Sequence, residues 1–199
     1  LDHFLDTFVT GVLIISIIAA YDIKNPFVAY FVLFVSYVTQ ATTFWEKFKM
    51  HKMHFGKFSS TETVVSLTLI ITLGYFKTIR DLVSIKLGEL GFIQNSFLGS
   101  CNALCNLTIM EVIMSFLCVF ALINIIGTLI RSSGASVRYW MYLLFTTTAT
   151  LIFACSDVQF YHIPFITLSL LNIYYISSLL VSIVMKKKDP CPDFVLPVV

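Results

Sequence analysis

Two carboxylates, Asp2 and Asp6, stand four residues apart at the head of a long apolar run, with His3 beside the first. On a helix that spacing places both on one face, and Thr10 continues the row one turn further. Ionisable residues at the mouth of a membrane helix are costly to keep, which marks them as a candidate functional site. The alternative is a pair of interfacial carboxylates favoured by the helix N-terminal dipole. Carboxylates facing a basic rim suit a magnesium-dependent reaction on a phosphorylated substrate, because this hard cation takes carboxylate and phosphate oxygens together. The cation then stabilises charge on the phosphoryl oxygens. In such a site Asp2 is a metal ligand, and Asp6 or His3 takes a proton from an attacking hydroxyl. Two carboxylates are too few for a full two-metal site.

The composition says what kind of element must hold these residues. The chain is 58% hydrophobic and only 12% charged. Soluble domains carry roughly a quarter charged residues, so a soluble globular fold is excluded. The expected fold is all-α, a polytopic integral membrane bundle of about six transmembrane helices, each near the ~20 residues that cross the hydrocarbon core. The apolar runs are 4–21, 27–45, 61–76, 107–130, 139–155 and 163–185. Residues 1–78 hold three helices and a basic loop, 79–106 form a polar connection broken by glycines, and 107–199 supply three further helices and a tail. The five cysteines show neither zinc spacing nor a disulfide framework. A net charge of +2 implies no nucleic-acid partner. The chain opens without an initiator Met or a signal-peptide pattern, so it is expected to be part of something longer.

Orientation follows from the basic residues. With the Lys47–Lys57 loop cytoplasmic, alternation also makes the Arg131–Arg138 turn and Lys186–Lys188 cytoplasmic, which accounts for nine of the thirteen lysines and arginines. Asp2, Asp6, Trp45, Glu46 and the Ser59–Glu62 segment then share that side. His51 and His54 read as part of a solvated basic loop attracted to anionic lipid.

The second run supports a site. Ser36, Thr39, Gln40, Thr43 and Glu46 recur at three- and four-residue steps. Lipid does not accept such a stripe, so it faces either a water-filled cavity or other helices. Ser59-Ser60-Thr61-Glu62 fits a capping box that starts the third helix, and a substrate contact by Glu62 is compatible with that. Asn106-Leu107-Thr108 is a glycosylation sequon expected to be poorly used because it abuts a span. Glu111, about a turn into that span, calls for a structural partner. Asn124 with Gly127, and Asn172 with Ser169, read as helix-packing positions.

Asp2-His3-Phe4-Leu5-Asp6 resembles the closing D-x-x-x-D of the CDP-alcohol phosphotransferase motif, D-G-x-x-A-R, eight residues, G-x-x-x-D-x-x-x-D. In the choline- and ethanolaminephosphotransferase branch a histidine often follows the first of these aspartates, as His3 does here. Phe44-Trp45-Glu46-Lys47-Phe48 and Phe55-Gly56-Lys57-Phe58, followed by Thr61-Glu62, are similar to the tryptophan-containing loop of that branch and the acidic start of its next helix. The resemblance covers Asp2 to about Val65, and beyond it only the span pattern agrees. The D-G-x-x-A-R half does not occur in these residues, so the chain reads either as a C-terminal portion of the enzyme or as a truncated relative that cannot turn over, and in both cases is expected to be inactive by itself.

The resemblance implies transfer of phosphoethanolamine or phosphocholine from CDP-ethanolamine or CDP-choline to diacylglycerol, with release of CMP, using Mg2+ or Mn2+. It implies Asp2 as a metal ligand, Asp6 as metal-site residue and general base, and Trp45, Glu46 and Glu62 along the headgroup or nucleotide pocket. Lys52 joins them as a substrate-side charge of the basic rim. It further implies an endoplasmic reticulum or Golgi membrane protein, in contact with membrane lipid and with a homodimer as an option, whose site faces the cytoplasm. A non-catalytic membrane relative that binds lipid or a partner, and a small transporter, are the competing readings. Neither paired repeats nor broken helices, the usual marks of a transporter, are visible.

Overall fold

The computed structural model describes residues 2–50, 60–90, 105–156 and 162–185, and the side chains of 7–50, 65–90, 105–156 and 163–185. These residues form α1 (Asp2–Ala20), α2 (Pro26–Met50), α3 (Ser60–Gly74), α4 (Lys77–Val83), a 3-10 turn (Leu87–Glu89), α5 (Ile109–Arg131), α6 (Val137–Cys155) and α7 (His162–Val184). The fold is all-helical, as composition implied. Three helices, α2, α5 and α7, are long and apolar enough to cross a membrane, and shorter apolar stretches cover Thr7–Ala20 and Val65–Gly74.

Local chemistry sets the joints. After α1 the chain turns at Asp22, whose φ of 49° lies in the left-handed region that aspartate accepts more readily than most residues. The Asn25 side chain then accepts from the N–H groups of Phe27 (3.1 Å) and Val28 (3.4 Å), capping α2, with Pro26 at the first helical position where its missing N–H costs nothing. Between α5 and α6, Ser133 (φ 58°) and Gly134 (φ 87°) make the tight reversal. The polar connection 79–106 begins within α4 and carries the 3-10 turn among its described residues, and its Lys86 forms an antiparallel bridge with Thr108 just beyond it.

Helix α2 is the axis of the bundle. Its buried residues include Ala29, Tyr30, Val32, Leu33, Val35 and Val38, positions that run right round the helix. A helix apolar on every side must be covered on every side. Its neighbours fix the directions. Asn25, just before α2, meets Glu111 near the head of α5, and Glu46 near its tail meets Arg131 at the tail of α5, so the two run parallel. Tyr37 pairs with Ser169 and Gln40 with Asn172, so α7 is parallel too. Tyr30 stacks near Phe153 while Thr42 bonds Tyr139, so α6 is antiparallel. Helix α1 returns antiparallel through the 22–25 turn, and the tail of α3 lies against its tail, where the Tyr21 hydroxyl donates to the Ile70 carbonyl at 2.7 Å. One end of the bundle therefore gathers the heads of α1, α3 and α6 and the tails of α2, α5 and α7. The first and last three-helix segments share one core, since Ile14, Leu33, Met114 and Leu168 belong to a single buried cluster.

Gly11 lets α1 sit this close. A Cβ there would collide with the Tyr37 hydroxyl and lie 2.5 Å from the Phe165 ring.

Candidate functional site

The row begun by Asp2 and Asp6 continues along α1 through Thr10, Ile14 and Ile18. Ile14 and Ile18 are buried, so the row runs into the bundle. The side chains of Asp2, His3, Asp6 and Glu62, and the whole of Lys52, His51 and His54, lie outside the described residues. Their elements are placed nonetheless: residues 2 and 6 open α1, residue 62 sits in the first turn of α3, and Trp45 and Glu46 close α2, all at one end.

At that end Trp45 and Glu46 are each 1% exposed. The Trp45 indole N–H points at the Gly134 carbonyl (3.4 Å), and its ring packs with Phe48 and Tyr139 at centroid distances of 5.6 and 5.9 Å. The Lys49 ammonium lies 5.9 Å from the Trp45 ring centroid, within cation–π range, so a cation of the chain itself already attends this ring. Glu46 accepts from Arg131 Nε at 3.2 Å, while Arg131 also donates to Thr128 at 2.9 Å. Two of the three residues that the resemblance implies along a headgroup or nucleotide pocket thus sit behind the surface, engaged by α5 and by the turn that follows it.

One turn inward, hydrogen bonds cross four helices. The Tyr142 hydroxyl (α6) donates to Asn172 Oδ1 (α7) at 2.7 Å, Asn172 Nδ2 donates to Gln40 Oε1 (α2) at 3.2 Å, and Gln40 Nε2 donates to Thr10 Oγ1 (α1) at 2.8 Å. Tyr37 and Ser169 exchange a 2.6 Å bond beside it, and the Tyr142 and Tyr175 rings stack at 4.2 Å. The polar stripe of α2 therefore divides. Gln40 and Glu46 reach other helices, whereas Ser36, Thr39 and Thr43 give their hydrogens to carbonyls four residues back at 2.8, 2.7 and 3.0 Å. Such back-bonding is how small hydroxyls satisfy themselves where water is absent.

The opposite end carries a second buried carboxylate. Glu111 Oε2 accepts from the Thr108 N–H at 2.8 Å, and Thr108 Oγ1 accepts from the Glu111 N–H at 3.2 Å, a reciprocal capping box. Glu111 Oε1 also accepts from the Asn25 N–H at 3.3 Å. This is the structural partner that the position of Glu111 demanded, and it takes the sequon's threonine with it. Asn172 and Ser169 pack between helices as expected. Asn124 does not: it is exposed on the outer face of α5.

As a donor set, the Asp2–Asp6 pair offers hard oxygens suited to Mg2+ or Mn2+. Among the described residues no group of three His, Cys, Asp or Glu comes together to hold a metal. Arg131, Tyr139, Tyr142 and Tyr175 carry no local signal, since their partners lie far away in sequence, whereas Asn172 and Ser169 are polar residues within an apolar run. No protein-family model matches the chain, no curated protein matches it, and no solved structure matches it.

Proposed function

We propose that this chain carries the D-x-x-x-D part of a membrane phosphotransferase, moving phosphoethanolamine or phosphocholine from a CDP-alcohol to diacylglycerol. The observation that supports the reading is placement. The opening turns of α1, the start of α3 and the Trp45-Glu46 end of α2, which carry the resemblance, meet at one end of the bundle although up to 60 residues separate them. Asp6, or His3 beside it, takes the proton of the diacylglycerol hydroxyl. That oxygen bonds to the phosphorus bearing the alcohol, the bond linking this phosphorus to CMP breaks, and CMP leaves with the electron pair. A bound divalent cation supplies charge neutralisation at the diphosphate, with Asp2 and Asp6 as its protein ligands. On this reading six helices span the bilayer in alternating directions, the site faces the cytoplasm, and the membrane is that of the endoplasmic reticulum or Golgi.

The test uses the protein as it occurs in its membrane. Asp2→Asn is expected to abolish turnover, because a neutral oxygen replaces a charged ligand. Asp6→Asn is expected to lose roughly 100- to 10,000-fold through the missing proton acceptor, with no recovery at high metal. Lys52→Ala is expected to act mildly, as one of several charges near an anionic surface. Rates across a metal titration decide it: near-normal turnover by both aspartate variants reduces the opening stretch to a helix end. The enclosure of Trp45 and Glu46 favours the second reading, a non-catalytic relative, and wild-type protein that releases no CMP would select it.

A further inference from the structure

The hydrogen-bond chain that crosses four helices has a direction. The Tyr142 hydroxyl owns one proton and gives it to Asn172 Oδ1 at 2.7 Å. That leaves Asn172 Nδ2 for Gln40 Oε1 at 3.2 Å, and so turns Gln40 Nε2 toward Thr10 Oγ1 at 2.8 Å. A carboxamide fits its slot equally well with oxygen and nitrogen exchanged, so the order of the links is set from the ends of the chain. Tyr142 is held at its end by the Tyr175 ring, stacked 4.2 Å away, and Asn172 between them and α2 is fully buried.

The other end meets α1 on one particular row. Thr10 stands four residues after Asp6 and eight after Asp2, one and two turns along the same face, or about 6 and 12 Å of helix. Any rotation or slide of α1 that moves Thr10 carries those two positions with it. Beside Thr10, Phe8 meets the Phe165 ring at 5.7 Å and Gly11 lies against Tyr37 and Phe165. Such packing limits distance, whereas a hydrogen bond also fixes direction. Helix packing by itself does not call for so long a chain, since Ser36, Thr39 and Thr43 on α2 close their hydroxyls on their own helix. Two carboxamides withdrawn from water are costly unless every link is made, and a polar network satisfied throughout specifies one arrangement.

We propose that Tyr142, Asn172 and Gln40 are positioning residues for the Asp2–Asp6 metal site, acting through Thr10 on the rotation of the opening turns of α1. This inference rests on the phosphotransferase reading, and it gives α6 and α7, which lie beyond the residues that carry the resemblance, a part in that site.

The experiment uses the full protein in its membrane lipid and takes two readings. One is CMP release across a Mg2+ titration, and the other is Mn2+ binding without substrate, read from the electron spin resonance of the free ion. Tyr142→Phe is expected to move both metal midpoints about tenfold higher, as happens when groups that orient a metal ligand are lost, with the KM for CDP-alcohol unchanged. Thr10→Val breaks the last link and is expected to do the same. The double variant is expected to shift no further than either single one, because the same chain is already broken. Tyr21→Phe, which removes the hydrogen bond from the other end of α1 to the Ile70 carbonyl, is expected to leave both midpoints in place. Unmoved midpoints in Tyr142→Phe, a double variant shifted about a hundredfold, or an equal shift in Tyr21→Phe would each overturn the proposal. Wild-type protein that releases no CMP, but whose Mn2+ midpoint moves as stated in Tyr142→Phe, supports the positioning and removes the phosphotransferase reading instead.

Discussion

Removing either partner of the Glu46–Arg131 pair breaks the same bond, yet the two removals are expected to differ in cost. The Glu46 side chain is 1% exposed and that of Arg131 is 47% exposed. In Arg131→Ala the carboxylate stays buried after losing its cation, and breaking a buried pair in this way typically costs about 3–5 kcal/mol. The half-exposed guanidinium was partly screened, and Glu46 has a further interaction, so the loss is set lower, at about 2 kcal/mol. In Glu46→Gln the cation keeps Thr128 and solvent, and the cost is that of a weakened hydrogen bond, about 1 kcal/mol. The double variant Arg131→Ala/Glu46→Gln leaves no stranded charge and should cost about 1 kcal/mol, where additivity requires about 3 kcal/mol. Detergent-induced unfolding in mixed micelles reads this directly, because Trp45 is buried beside the pair and Trp140 is the only other tryptophan. An Arg131→Ala cost at or below that of Glu46→Gln, or an additive cycle, would refute the reasoning.

Gly11→Ala should destabilise by about 1–3 kcal/mol through overpacking against Tyr37 and Phe165, with Tyr37→Phe restoring part of it, as read by the same unfolding assay. Topology is testable by labelling cysteines placed at Gly134 and in the C-terminal tail. Both positions, with the Lys47–Lys57 loop, should react from the cytoplasmic side, and opposite-side reactivity would remove the orientation.

Much of the fold was legible because its cause is local. In a bilayer every backbone group must be satisfied within its own segment, so an apolar run near 20 residues commits itself to a helix before any neighbour is known. The Asn25-Pro26 start of α2 and the break at Asp22 are equally local, set by one side chain and one φ angle. The four-residue spacing of Asp2 and Asp6 places them on one helical row for the same reason. The polar stripe of α2 announced itself as something lipid would not cover, but its use was beyond local information. Ser36, Thr39 and Thr43 turn inward to their own helix, while Gln40 spans from Thr10 to Asn172. That Arg131 neutralises Glu46 was equally beyond local reach, because the two stand 85 residues apart. Asn124 and Asn172 are alike in local pattern, yet one faces outward and the other meets Gln40 and Tyr142. Helix formation is governed by residues three and four apart, which the chain spells out. Which face of each helix meets which neighbour depends on the rotation and order of all of them at once, and close packing around α2, with Gly11 admitting Tyr37 and Phe165, made that choice.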